Sequence, residues 1–331
     1  MERFYGISAE KQRKFCEEAK SIVGYPPITI EKDFWVCFIL RELFGLQNWG
    51  QHLAFKGGTS LSKGWQLISR FSEDVDVVIR RGFLGFPDDH LGSKRREKLR
   101  KECGRRIQED LKPTFESRLR EVLPDDLEWS LTLEDAIGDP DRSMFFQYPT
   151  IFKTEISYLK RIVKVELGAR SETEPIEDRP IQSYLAEAFP NIFGNSTFFI
   201  RTVTARRTFW EKAMLLHEET FRPTDKPRKG RLSRHYYDLW CMINKSIGKE
   251  ALADVELFDR VAQHRKIFFR QSWVNYETLK KGSLRLVPPP EQMAEWRKDY
   301  EAMREDMFFD DPPPFDQLLE VILAFEEEFN R

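Results

Sequence analysis

The sequence has few cysteines, no long apolar run and almost no net charge. Its four cysteines are far apart and form no CxxC or Cys/His cluster, which argues against a zinc site and is typical of reduced thiols in a cytoplasmic protein. The longest apolar run, FWVCFILRELF (34–44), is interrupted by two charged residues, so it predicts a buried helix and not a membrane span. The formal net charge of -2 implies that any attraction to nucleic acid must come from local patches.

The composition predicts a folded protein with two domains. The chain has 331 residues, of which 40% are hydrophobic and 33% charged, and it has no internal repeat. Its first residues lack the apolar core of a signal peptide, so we expect a cytoplasmic protein. Strand and helix patterns alternate up to about residue 200, and helical patterns follow. We therefore predict an α+β domain over 1–200 and a helical domain over 201–331.

Two aspartates stand out in the stretch AFKGGTSLSKGWQLISRFSEDVDVVI (54–79). The segment EDVDVVIR is typical of a strand, in which Asp74 and Asp76 share one face because residues i and i+2 point to the same side. Two carboxylates held so close repel each other. A divalent cation removes that conflict, and Mg²⁺ binds carboxylates together with substrate phosphates.

The preceding KGGTS supplies a candidate phosphate site. It ends the predicted strand HLAFKG and begins a predicted helix, TSLSKGWQLI (59–68). Gly57 and Gly58 permit a tight turn, and backbone amides of Thr59 and Ser60 at a helix N-terminus would bind an anion. We assign these four residues and Lys56 to nucleotide binding. Phosphate-binding amides beside metal-binding carboxylates predict nucleotidyl transfer, in which two metal ions align the attacking hydroxyl, the α-phosphate and the leaving pyrophosphate.

A third carboxylate is expected on the predicted strand RIVKVELGAR (161–170). Its alternation places Glu166 on a polar face, where it would bind the second metal ion or assist deprotonation of the acceptor hydroxyl. Glu155, on a strand-like segment just before, is the alternative.

Four motifs in this order resemble the AbiEii/AbiGii nucleotidyltransferase toxins, which include the MenT toxins. KGGTSLSKGWQLISRFSEDVDVVI is similar to their first two motifs, RTFWEKAMLLHEE to the third and RHYYDLW to the fourth. The resemblance implies a polymerase-β-type core, a small mixed sheet with flanking helices, followed by a helical domain that completes the active site. It also implies a Mg²⁺-dependent toxin that moves NMP from an NTP to an acceptor, tRNA in relatives, and an antitoxin encoded nearby. The key residues of motifs three and four are Lys212 and Asp238.

Physical roles for these two residues follow from their charge. Lys212 would neutralise the triphosphate, assisted by Arg207. Asp238 would orient Lys212 or a ribose, or form an ordinary ion pair with Arg234 four residues before it. The neighbouring tyrosines, 236 and 237, are candidates for stacking on a base. Ser72, two residues before Asp74, is predicted to be a site of inactivating modification, and the alternative is a serine that only hydrogen-bonds the turn.

Two basic runs, 94–106 and 222–234, are candidates for RNA contact, although such runs are usually solvated surfaces. Other functions stay open. The acceptor could be a protein hydroxyl or a small molecule, or the chain could be a non-catalytic regulator that retains the fold.

Overall fold

The chain forms two compact units. The computed structural model describes residues 2–87, 91–134, 142–152, 161–193, 196–308 and 311–331. The first unit contains Met1–Gly64 and Ser72–Thr202, and the second contains Trp65–Phe71 and Val203–Arg331.

The first unit has helices and strands. Helices α1 to α8 are Glu2–Tyr5, Ala9–Val23, Pro27–Phe44, Gly57–Thr59, Ser93–Arg106, Lys112–Val122, Tyr184–Ala188 and Pro190–Phe193. Strands β1 to β7 are Leu53–Lys56, Val75–Ile79, Ser130–Leu133, Arg142–Gln147, Ile162–Gly168, Ile176–Ile181 and Phe198–Val203. Two π-helical turns, Ser60–Gly64 and Ile107–Leu111, continue α4 and α5, respectively.

One mixed sheet contains the seven strands of the described residues, in the order β3-β4-β5-β2-β1-β7-β6. Strand β2 is antiparallel to β1 and parallel to β5, and β1 is parallel to β7. Strand β5 alternates as its sequence predicts, because Val163, Val165 and Leu167 are buried and the residues between them are partly exposed. The architecture is therefore mixed α/β, and strands β1, β2 and β5 lie next to one another in the middle of the sheet.

Helix α3 lies in the core of the first unit, as its apolar sequence predicts. Trp35 and Phe38 are at most 1% exposed, and most other residues of the helix, including charged ones, are buried too. The helix begins at Pro27, since a proline's fixed φ suits a first helical turn. Thr29 therefore lies within the first turn of the helix. The Thr29 hydroxyl is buried without a hydrogen-bond partner among the described residues.

The predicted helix over 59–68 ends early, at Gly64. The next residues, Trp65–Phe71, pack with the second unit instead. Trp65 Nε1 donates to the Val203 carbonyl at 3.2 Å, and the Phe71 amide donates to the Met307 carbonyl at 2.9 Å. These long-range hydrogen bonds replace the helical ones that a continued helix would have made.

The second unit is helical. Helices α9 to α14 are Ala205–Thr220, Arg234–Asn244, Ile247–Ala253, Val255–Phe268, Met293–Met307 and Phe315–Asn330. Trp210 of α9 is fully buried, and its ring centroid lies 4.9 Å from that of Phe258 and 5.0 Å from that of Phe329. The helical patterns predicted after about residue 200 are confirmed by helices such as α9, α10 and α14. In the described part of the chain, none of the helices has the length and apolar character needed to span a membrane.

Candidate active site

Two of the predicted acidic residues lie side by side in the sheet. Asp76 of β2 is paired in register with Glu166 of β5, because these parallel strands align residue for residue from Val75 and Val165 onward. Neighbouring strands are about 4.8 Å apart. Both side chains are partly exposed. The sheet therefore holds two carboxylates next to each other on a face that is open to a ligand.

The glycine turn lies directly against this pair. Gly57 has φ of +77°, and a Cβ atom built on it would lie 1.9 Å from Oδ2 of Asp76. Only glycine adopts this backbone conformation without strain and leaves room for the carboxylate. The Asp76 carboxylate can therefore lie against the turn because Gly57 has no side chain.

Asp74 does not lie within the strand, contrary to the sequence prediction. Strand β2 begins at Val75. The Thr59 hydroxyl donates to the Asp74 carbonyl and lies 3.0 Å from the Ser72 hydroxyl. A hydroxyl has one proton, so Ser72 is the donor in the second contact. These bonds hold 72–74 against Thr59 of the glycine turn, and Ser72 makes the kind of hydrogen bond that the simpler interpretation of this serine predicts.

Ser60 contributes less to an anion site than predicted. Its amide donates to the Gly57 carbonyl, and its hydroxyl bonds to the same carbonyl at 2.8 Å. The amide is therefore already used, because the short helix α4 closes its hydrogen bond there. Lys56 Nζ donates to the Ser171 hydroxyl at 2.9 Å. The amides of Gly58 and Thr59 are the donors of this turn that best fit the predicted role.

A lysine that the sequence analysis did not assign lies among the acids. Lys164 Nζ is 2.5 Å from Oε1 of Glu166, two residues along β5. Burial lowers the pKa of Lys164, but the hydrogen bond to Glu166 and the charges of Glu166, Asp74 and Glu134 raise it above its ordinary value. The i, i+2 spacing on the polar face of the strand was the signal that could have found it.

Two neighbouring acids have other positions. Glu73 forms an ion pair with the buried Lys32 of α3. Glu155, the alternative third acid, lies outside the described residues.

The donor set fits a magnesium ion in kind. Asp76 and Glu166 offer carboxylate oxygens from adjacent strands, and Asp74 adds a third within two residues. The described residues contain no group of three or more His, Cys, Asp or Glu side chains already arranged around one point. Lys164 supplies the positive charge beside Glu166 in this arrangement. A metal ion at Glu166 would therefore take the place of the lysine ammonium.

The second unit contains the other predicted pair. Lys212 Nζ of α9 lies 2.9 Å from Oδ2 of Asp238 on α10; the Lys212 side chain keeps 8% exposure, whereas that of Asp238 has 0%. Arg70 binds the same carboxylate through two hydrogen bonds of 2.7 Å. Burial acts to raise the pKa of Asp238, but the charges of Arg70 and Lys212 hold it well below its usual range. Burial lowers the pKa of Lys212, against the charge of Asp238.

Asp238 therefore lies beside Lys212 and not in the simple ion pair with Arg234. Its exposure is 0%. The tyrosines are in packing positions: the hydroxyl of Tyr236 donates to the Leu286 carbonyl at 2.9 Å, and the ring of Tyr237 packs on Phe308. Neither is accessible for stacking on a base, since both are buried.

Arg207 also occupies a buried position. Its exposure is 0%, and its Nε donates to Glu211 at 3.2 Å on the same helix. A guanidinium without exposed surface does not reach a bound nucleotide in this conformation. This differs from the predicted nucleotide contact and follows from the helical register, which turns residue 207 toward the core.

Many cations of the two basic runs have acidic partners. In α5, Arg105 pairs with Glu102 and Glu109. In the loop 222–234, Arg228 pairs with Glu219, and its guanidinium lies 4.1 Å from the ring centroid of Trp296. Some of the side chains predicted to contact RNA are therefore already paired within the protein. RNA contact by the remaining cations stays a prediction.

Comparison with known families identifies the family of this chain. The profile of the family described as "Nucleotidyl transferase AbiEii toxin, Type IV TA system" matches residues 39–321. The chain belongs to this AbiEii family. The match covers most of the chain. It includes the carboxylates of the sheet and the buried lysine group, which consists of Lys212, Asp238 and Arg70. The resemblance seen in the motifs is thereby confirmed.

Solved structures show weaker likenesses. JHP933 from Helicobacter pylori shares 13% identity, with 90% of this chain and 91% of that chain covered and a TM-score of 0.42. MenT4, a nucleotidyltransferase toxin from Mycobacterium tuberculosis H37Rv, shares 16% identity over 96% of this chain and 98% of that chain, with the same TM-score of 0.42. At these values the assignment to AbiEii depends on the family profile alone. No curated protein sequence matches the chain significantly.

Proposed function

We propose that this AbiEii protein is a toxin that transfers NMP from an NTP to an acceptor, the 3′ end of tRNA, with Mg²⁺ as its cofactor. The observation that supports this most is the register of Asp76 and Glu166, with Gly57 against the Asp76 carboxylate. A strand pair with adjacent carboxylates and a glycine turn suits a nucleotide triphosphate and its metal ions. We further propose that β1, β2 and β5 belong to a polymerase-β-type core.

Each group then has a chemical role. Bound at Asp74, Asp76 and Glu166, metal ions would neutralise phosphate charge and lower the pKa of the acceptor hydroxyl. The Gly58 and Thr59 amides bind phosphate oxygens, because they lie at the turn. The alternative role for Glu166 is to assist deprotonation of the acceptor hydroxyl.

In this proposal the buried lysine group binds the triphosphate. Lys212 donates to its oxygens as a point charge. Asp238 holds the ammonium in place through the 2.9 Å contact.

The proposal is tested by incubating the purified protein with Mg²⁺, each labelled NTP in turn and total tRNA, and then sequencing the tRNA 3′ ends. We expect one or two NTPs to extend a defined set of tRNAs. EDTA should abolish the label, since the metal ion is required. Label on protein or on a small molecule would favour the other acceptors, and no transfer with any NTP would favour a non-catalytic regulator.

An antitoxin is the partner implied by a toxin–antitoxin family. We propose that Ser72 is where such a partner, or the enzyme itself, modifies this toxin. Ser72 is half-buried and lies two residues before Asp74 in the sequence. Its hydroxyl contacts that of Thr59. A phosphoryl or nucleotidyl group there would add about one to two negative charges beside the acids and repel a triphosphate.

Mass spectrometry of the toxin after co-expression with its neighbouring gene tests this prediction. We expect a modified Ser72 in neutralised toxin, and a Ser72→Asp variant should transfer less nucleotide than Ser72→Asn, which is similar in size but uncharged. Unmodified Ser72 in fully neutralised protein would refute the modification. Equal activity of the two variants would refute the charge effect.

A further inference from the structure

A buried polar group surrounds Lys212 in the second unit. Asp238 has 0% exposure, and its two carboxylate oxygens accept from Nε and Nη2 of Arg70, each at 2.7 Å. One of these oxygens also lies 2.9 Å from Lys212 Nζ, and His235 Nδ1 lies 3.4 Å from the same ammonium. Arg70 is 168 residues from Asp238 in the sequence, so the fold alone brings these groups together.

We propose that Arg70 is a positioning residue that acts through Asp238 on Lys212. The inference depends on the proposed role of Lys212 in binding the triphosphate. Arg70 fixes the plane of the Asp238 carboxylate, and the carboxylate in turn fixes the lysine ammonium.

The geometry of the guanidinium supports this role. A planar fork that binds both oxygens of a carboxylate prevents the carboxylate from rotating. Buried Asp238 has no solvent to hold it, so its orientation depends on these partners. Lysine in place of arginine could reach one oxygen but could not bind the pair in the same plane. The fork therefore sets where Oδ2 lies, and with it where the ammonium of Lys212 lies.

His235 completes the arrangement. It is buried, and burial together with the charge of Lys212 lowers its pKa well below the ordinary value, so the ring is neutral. A neutral ring with an unprotonated Nδ1 accepts a hydrogen bond from the ammonium. Asp238 and His235 thus bind two of the three N–H groups of Lys212. One N–H is left to donate to an oxygen of a ligand.

The same unit contains a matched control. Arg265 binds both oxygens of Glu218, at 2.8 Å and 2.5 Å, and both residues are buried. This pair has the same fork geometry as Arg70 and Asp238, and its hydrogen bonds do not involve Lys212. A change at Arg265 therefore reports what loss of a buried arginine–carboxylate pair does to the fold, without the predicted effect on the lysine.

A double-mutant cycle on the full chain tests the proposal. We expect Arg70→Gln to raise the Kd for a non-hydrolysable NTP analogue, measured by calorimetry, and to lower kcat/KM by about tenfold to a hundredfold. In the Lys212→Ala background, Arg70→Gln should cause no further loss, because the group through which it acts is gone. Arg265→Gln should cause the same fold-change in both backgrounds.

Other results would overturn the proposal in distinguishable ways. Equal losses from Arg70→Gln with and without Lys212 would show that Arg70 does not act through the lysine. A Lys212→Ala protein with unchanged NTP affinity and turnover would contradict the proposed role of Lys212 itself. If Arg70→Gln does not fold, as judged by circular dichroism, Arg70→Lys replaces it in the cycle. It keeps the buried charge, and wild-type affinity in that variant would show that the fork is not needed.

Discussion

Asp76→Asn should reduce nucleotide transfer by about a thousandfold or more while the protein stays folded. The change removes a negative charge from a metal ligand, and a metal ion contributes several kcal/mol to stabilising the transition state, where each tenfold in rate corresponds to about 1.4 kcal/mol. The side chain is partly exposed and not part of the apolar core. Steady-state transfer of labelled NMP, together with the thermal unfolding midpoint, measures both parts of this expectation.

Asp178→Asn is the control for that substitution. Asp178 is an exposed aspartate on the edge strand β6 of the same sheet. Its replacement should change neither transfer nor the Mg²⁺ concentration needed for half-maximal rate. Transfer by folded Asp76→Asn within a few-fold of the wild type would contradict the assignment of Asp76 to a metal ion.

The faces of the strands could be predicted from the sequence. A period of two in IVKVELG separates Glu166 from buried valines and leucine, and the structure has the same alternation; in VDVVI only Asp76 is partly exposed. The register of β2 and β5 could not be predicted in this way. Local patterns show which face a residue occupies, whereas the neighbour across the sheet depends on how two distant segments pair. The pairing of Asp76 with Glu166 is therefore known only from the fold.

Local reasoning failed where tertiary hydrogen bonds compete with secondary structure. Asp74 was expected inside a strand, but its carbonyl accepts from Thr59 and the strand begins one residue later. Residues 65–68 were expected in a helix, but they pack with the second unit.

Arg70 shows a different limit of the sequence. A single arginine in an irregular segment has no periodic neighbours, so no local pattern predicts its partner. The available signal was Asp238 itself, because a carboxylate inside a helical core has two acceptor oxygens, and one lysine leaves hydrogen-bonding capacity for a further donor.

Gly57→Ala should reduce transfer by about a hundredfold, for a steric reason. The new Cβ atom would lie 1.9 Å from Oδ2 of Asp76, so the carboxylate or the turn must move. A displacement of about 1 Å at a catalytic group costs about a hundredfold in rate. A positive φ also disfavours alanine by about 1–2 kcal/mol. Transfer rate and the free energy of unfolding, measured on the same preparation, separate the two effects.

Gly24→Ala separates the clash from the backbone strain. Gly24 has φ of +80°, close to the +77° of Gly57, but a Cβ atom there would have nothing within 4 Å. Both variants should lose similar stability from the unfavourable backbone conformation, and only Gly57→Ala should lose transfer. If Gly57→Ala keeps wild-type activity, the close approach of the glycine turn to Asp76 has no part in the reaction. If Gly24→Ala loses transfer to the same extent, the loss reflects stability and not the geometry of the acids.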